Sequence, residues 1–113
     1  MIQEKLTILK ENGVIDEEIY TFSQTVIDYL KKESIIKEDS EADVFITHLA
    51  MAMARGKDKP IAAVDEAIMA EITSDEQFPK AKTTWEEIKE MSPIAFHENE
   101  TGYFYLHLVN LLH

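Results

Sequence analysis

Residues 98–113 read Glu98-Asn99-Glu100-Thr101-Gly102-Tyr103-Phe104-Tyr105-Leu106-His107-Leu108-Val109-Asn110-Leu111-Leu112-His113. From Gly102 to Leu112 almost every side chain is apolar or aromatic. A helix that is apolar on all sides belongs in a core rather than on a surface. His107 stands in the middle of it, between Tyr103, Phe104, Leu106 and Leu108. Its imidazole is either a satisfied core group or a working one.

One other segment has this character. Ser40, with Asp43 three residues on, reads as a capped start. Val44-Phe45-Ile46-Thr47-His48-Leu49-Ala50-Met51-Ala52-Met53-Ala54-Arg55 follows, almost free of charge until Arg55, and stops near Gly56. Its alanines and methionines favour helix and permit close packing.

The remaining segments show ordinary amphipathic helices. Ile2, Leu6 and Leu9 recur at helical spacing, and Asn12-Gly13 is a stop. Asp16 is placed to cap a second helix, with Ile15 and Tyr20 as a hydrophobic staple. Ile19, Phe22, Val26, Tyr29 and Leu30 form its stripe, and Lys31-Lys32 complement its dipole. Pro60 suits a first helical turn, with Ile61, Val64, Ile68 and Ile72 as the stripe behind it. A further helix starts at Ser74 with Gln77, or, because of Pro79, at Thr84 with Glu87. Trp85, Ile88 and Met91 follow, and Ser92-Pro93 ends it. Nothing reads as a strand or hairpin, and no repeat or linker is visible. The expectation is a single all-α domain over residues 1–113, a compact bundle of five or six helices.

Composition narrows the function. The chain has 113 residues, enough for one core, and its 45% hydrophobic and 29% charged residues are ordinary for a globular domain. Its formal net charge is −11, with only 11 basic residues, and these are scattered. Direct nucleic-acid binding needs clustered Lys and Arg, and anionic membranes repel such a field, so neither partner is expected. No apolar run approaches the ~20 residues that span a bilayer. The N-terminus lacks a signal-peptide pattern, and a cytoplasmic location is expected. Cysteine is absent, which removes disulfides, zinc–thiolate sites and a Cys nucleophile.

The four histidines are His48, His97, His107 and His113. None makes an i, i+4 ligand pair, so a metal site would need ligands converging from several helices. His48 and Arg55 lie seven residues apart on one helix face, roughly 10 Å along the axis. Glu100 and His107 repeat that spacing, and Tyr103 lies one turn before His107, where it can stack on or bond to its ring. Neutral imidazole can accept a phosphoryl group, and Arg can hold the phosphate. No hydrolase motif, phosphate loop or Asp-rich metal site is present, so no independent catalysis and no cofactor are expected. His97 and His113 read as ordinary surface or chain-end residues.

These residues resemble a known family. Phe45-Ile46-Thr47-His48-Leu49-Ala50-Met51-Ala52-Met53-Ala54-Arg55 is similar to the first histidine motif of the phosphotransferase-system regulation domain, or PRD, in which Arg follows His by seven residues. Glu98-Asn99-Glu100-Thr101-Gly102-Tyr103-Phe104-Tyr105-Leu106-His107-Leu108 resembles the second, where Glu-x-Gly-aromatic precedes Leu-His. Gln77-Phe78-Pro79-Lys80-Ala81 resembles the aromatic-Pro stretch between them. Thr47 stands where many antiterminator members have Asp, which is closer to the PRDs of transcriptional activators.

The resemblance implies an all-α bundle that pairs as a homodimer. It implies phosphorylation on histidine by the phosphocarrier HPr or a sugar-permease component. His48 and His107 match the acceptor positions. Arg55, Glu100, Gly102 and Tyr103 match positions around them. Members usually carry two such domains and a nucleic-acid-binding effector; this sequence shows one copy. The expected role is therefore a bacterial regulatory domain that receives phosphate and signals carbon supply through protein contacts in transcriptional regulation. The alternatives are a helical interaction or dimerisation module that is never phosphorylated, and a metal-binding or enzymatic bundle built on His48 and His107.

Overall fold

The computed structural model describes residues 2–56 and 61–113. Among them are six α-helices and two short 3-10 turns, with no strand. Helix α1 (Ile2–Glu11) buries Ile2 and Leu6. It ends where the Gly13 N–H donates to the Lys10 carbonyl and the Val14 N–H to that of Leu9. That is a Schellman closure, and Gly13 supplies its left-handed residue at φ 72°.

Helix α2 (Glu17–Lys32) starts as the sequence indicates, with Asp16 accepting from the Ile19 N–H at 2.9 Å. Ile15 is buried and Tyr20 half-buried beside this start. Ile19, Phe22, Val26 and Leu30 are buried, with Ser23 and Ile27. The helix closes by the same device as α1, with Ser34 in place of glycine at φ 58°.

Helix α3 (Asp43–Arg55) is preceded by a 3-10 turn over Asp39–Ala42. The Ser40–Asp43 cap is not formed. Helix α3 has no side-chain cap, and Glu41 instead closes the 3-10 turn before it, its carboxylate accepting from the Lys37 and Glu38 N–H groups at 2.5 and 2.8 Å. A longer side chain reaches back over the tighter turn and satisfies the free donors there. Gly56 ends α3 at φ 74° and ψ 169°, a conformation open essentially to glycine alone.

The next expected helix begins later than its apolar spacing suggests. Pro60 lies outside the described residues. Residues 61–65 run without helix, and α4 (Glu66–Ser74) starts where Asp65 accepts from the Ala67 N–H. Of the stripe Ile61, Val64, Ile68 and Ile72, only Ile72 is buried. Val64 instead packs on Gly102, where an added Cβ would come within 2.8 Å of the Val64 methyl and 2.9 Å of the Met69 sulfur. Helix α5 (Phe78–Met91) takes Pro79 into its first turn, so Thr84 is a buried interior residue and not a start. Ser92 closes α5. A second 3-10 turn, Glu98–Glu100, leads into α6 (Thr101–Leu112).

Helix α3 packs against α1, α2 and α6, and α6 also rests on α4 and α5. The aromatic centre lies where α3, α5 and α6 meet. Trp85 stacks on Phe104 with centroids 4.3 Å apart, and Phe45 meets Phe104 edge-on at 6.1 Å. Burial of the two apolar helices is one-sided. On α6, Gly102, Phe104, Leu108 and Val109 are buried, while Tyr103, Tyr105, Leu106, His107, Leu111 and Leu112 are half-buried. On α3, Val44 is 68% exposed. The uncharged sequence of these helices therefore exceeds what the monomer core uses.

Candidate functional site

The α3–α6 crossing brings the two motif histidines into contact. His48 Nδ1 lies 3.1 Å from His107 Nε2. The rings meet edge to face with centroids 5.2 Å apart. The other nitrogen of His48, Nε2, lies 3.1 Å from Glu100 Oε1. Glu100 Oε2 in turn accepts from Arg55 Nη2 at 2.7 Å. Arg55, Glu100, His48 and His107 thus form one unbroken chain of polar contacts running between the two helices.

Each link has a local cause. One face of α3 carries His48 and, two turns later, Arg55. The 3-10 turn ahead of α6 drops Glu100 between them, 2% exposed. A buried carboxylate is costly unless paired and hydrogen-bonded on both oxygens, and here Arg55 and His48 supply those partners. Glu100 occupies the N-cap position of α6 yet makes no capping bond to it. Its carboxylate is committed to the neighbouring helix.

Glu100 does not reach His107, the histidine on the helix it precedes. Tyr103 likewise meets the other histidine. Its ring lies edge-on to His48 at 5.7 Å, and its hydroxyl donates to the Ala62 carbonyl at 3.1 Å. Asn99 Nδ2 donates to the Ile61 carbonyl, so residues 61–65 are strapped onto the start of α6. Beneath His48 lies Phe104, 4.8 Å between centroids, and Phe45 lies 6.2 Å from His107. Spacing along one helix cannot reveal these crossed pairings; the seven-residue repeat holds for His48 and Arg55 on α3, but Glu100 lies in the 3-10 turn before α6 and does not share a helix with His107.

The two histidines differ in surroundings. His48 has both ring nitrogens engaged. His107 borders an open groove of about 400 Å³ lined by Glu41, Val44, Phe45, Leu106, Asn110 and Leu111. Burial, then the neighbouring His48, lowers the pKa of His107 below the ordinary histidine value, so its neutral form is favoured. Arg55 is on the far side of Glu100 and lines no part of that groove. It keeps a buried Nε without a partner among the described residues, as Thr47 does its hydroxyl.

The other two histidines stand apart, each with a structural contact. His97 Nδ1 accepts from the Asn99 N–H at 3.0 Å and caps the 3-10 turn before α6. His113 Nε2 lies 2.9 Å from the Asp75 carboxylate. Among the described residues no three His, Cys, Asp or Glu side chains converge as metal ligands, and no helix is long and apolar enough to cross a membrane.

The sequence matches the family model of the PRD domain over residues 23–111, a span that holds all four members of the polar chain. The chain belongs to the PRD family. No curated protein and no solved structure matches it. The PRD family is one of regulatory domains of the phosphotransferase system, and the all-α architecture agrees with that membership. The PRD match leaves out α1 and the first turns of α2, the part of the bundle farthest in sequence from the histidines.

Proposed function

We propose that this PRD is a phosphohistidine switch in the cytoplasm of a bacterium. His48 and His107 are its acceptor positions, and HPr or a sugar-permease component is the donor. The observation that carries this reading is the pair itself: two imidazoles in hydrogen-bonding contact, anchored by Glu100 and Arg55, with His107 on an open groove. A phosphate there adds roughly −2 charge and three strong acceptor oxygens. The groove offers it the Asn110 amide, the Glu41 carboxylate and apolar side chains and, among the described residues, no Lys or Arg. Repulsion and desolvation then favour a rearranged surface, which is a two-state switch with a named charge event. The half-buried Leu106 and Leu111 and the exposed Val44 lie on this face, and a second copy of the chain is the partner we assign to it. Phosphate changes that pairing and so reports carbon supply through protein contacts to transcription. The domain carries out no chemistry of its own beyond accepting phosphate.

The test is incubation with phosphoenolpyruvate, the general phosphotransferase enzyme and HPr, followed by assay of acid-labile phosphate. His48→Ala and His107→Ala each remove one site, and His113→Ala leaves labelling unchanged. Light scattering of the unlabelled protein at tens of micromolar should give twice the 13.0 kDa chain mass. The rival reading, an interaction module that is never phosphorylated, draws on the near-complete satisfaction of the polar chain. It takes over if a folded sample accepts label at neither histidine.

A further inference from the structure

The polar chain has a direction. Arg55 is a donor only, and with its charge beside it Glu100 is a carboxylate, an acceptor only. Glu100 Oε1 must then receive its bond from an Nε2–H on His48. When His48 is neutral its imidazole carries one proton, Nδ1 is left as an acceptor, and the contact at 3.1 Å is supplied by an Nε2–H on His107. The remaining nitrogen, His107 Nδ1, is then unprotonated. It has no hydrogen-bond partner among the described residues and is not one of the occluded polar atoms. His107 lines the groove together with Glu41 and Leu111.

From this order, and resting on the phosphohistidine reading above, we propose that the two histidines have unequal parts. His107 Nδ1 is the first atom to receive phosphate, and His48, held by Glu100, takes up the proton that the reaction displaces. The lone pair of Nδ1 forms the new N–P bond while the N–P bond of the donor breaks and its electron pair leaves with the donor nitrogen. The ring so formed is cationic. Its Nε2–H bond breaks, the electrons stay in the ring, and the proton passes to His48 Nδ1. The resulting His48 imidazolium stays against Glu100, whose charge is already in place. His48 has no free nitrogen in this arrangement and can be phosphorylated only after its contacts to Glu100 and His107 open.

Two measurements test this without relying on the protein donor. Two-bond proton–nitrogen correlation spectra of the unphosphorylated chain should show the Nε2–H tautomer at both His48 and His107. Phosphoramidate, which loses ammonia on transfer, should place its first phosphate on His107 at Nδ1, read by phosphorus–nitrogen coupling. His48→Gln keeps an acceptor oxygen for the His107 proton but cannot take that proton up. It should stay folded, keep the His107 tautomer and label more slowly by about 10²-fold or more, the usual range for a lost proton acceptor. A purely structural His48 would leave that rate unchanged.

An Nδ1–H tautomer at His107, a first phosphate on Nε2 or on His48, or a wild-type rate in His48→Gln overturns the proposal. If HPr labels the chain but through one of those other atoms, the switch stands and this ordering falls. If HPr gives no label while phosphoramidate modifies Nδ1 of His107 in the expected tautomer, the ordering stands and the donor assignment falls. Labelling by neither overturns both.

Discussion

Asp16 and Glu100 occupy equivalent positions at the N-termini of two helices and do opposite things. Asp16 turns its carboxylate onto the free N–H of Ile19 and stabilises α2 locally. Glu100 leaves the first turn of α6 without a side-chain cap and spends both oxygens on α3. The α1–α2 half is built by local rules: a cap, two Schellman closures and an apolar stripe. In the α3–α6 half, α3, α5 and α6 all start without a side-chain cap, and Glu100 gains in exchange a place in a buried polar chain that ends on a groove. Polar groups are placed in a core at a cost, and where a natural sequence accepts that cost a working site is the first place to look.

The contrast can be pushed at several points. Phe104 carries the floor of the histidine pair and stacks on Trp85, so Phe104→Ala should cost about 3–5 kcal/mol in denaturant unfolding, the largest loss considered. Arg55→Ala removes a charged hydrogen bond and strands Glu100; a loss of about 1.5–3 kcal/mol is expected, together with weaker phosphorylation. Asp16→Ala should cost about 1 kcal/mol while leaving phosphorylation at the wild-type level. If Asp16→Ala impaired labelling as much as Arg55→Ala, the two halves would not be separable in the way proposed.

A pH titration addresses the same division. The pKa of His107 is depressed by burial, so the unfolded chain binds a proton there more readily than the folded one. Its contribution is fully present above the unfolded value of about 6.5. It is lost as pH falls from there through the folded pKa. His107→Asn should remove this slope, and Asp16→Ala should leave it in place. The smallest effect lies in the locally built half. Ser34 holds a left-handed conformation, and Ser34→Gly should raise stability by up to about 1 kcal/mol with no change in labelling.

A bundle of five or six helices was legible in the chain because caps, stops and stripes are short-range. Asp16, Gly13, Gly56 and Ser92 mark ends that the structure keeps. The misplacements have physical reasons. Ile61 and Val64 fit a helical stripe, but Asp65 caps one turn later and Val64 is drawn onto the open backbone of Gly102. Thr84 with Glu87 looks like a capping box, but Pro79 is tolerated in a first turn, and Thr84 is enclosed inside α5. Ser40 lies inside the 3-10 turn over Asp39–Ala42, so it does not cap α3, which starts without a side-chain cap.

By itself, the sequence determined the all-α class, the two uncharged helices and the shared face of His48 and Arg55, while Glu100, read as part of the last helix, lies in the 3-10 turn ahead of it. Periodicity and propensity act over a few residues and carry that much. Only the tertiary structure decided which of these side chains meet. The crossing of α3 and α6 joins His48 to His107 and to Glu100, reverses the partners that spacing along each helix suggested, and leaves His107 bordering the groove. That choice rests on the packing of Phe45, Trp85 and Phe104 between the helices, an interaction among residues distant in sequence that no local pattern encodes.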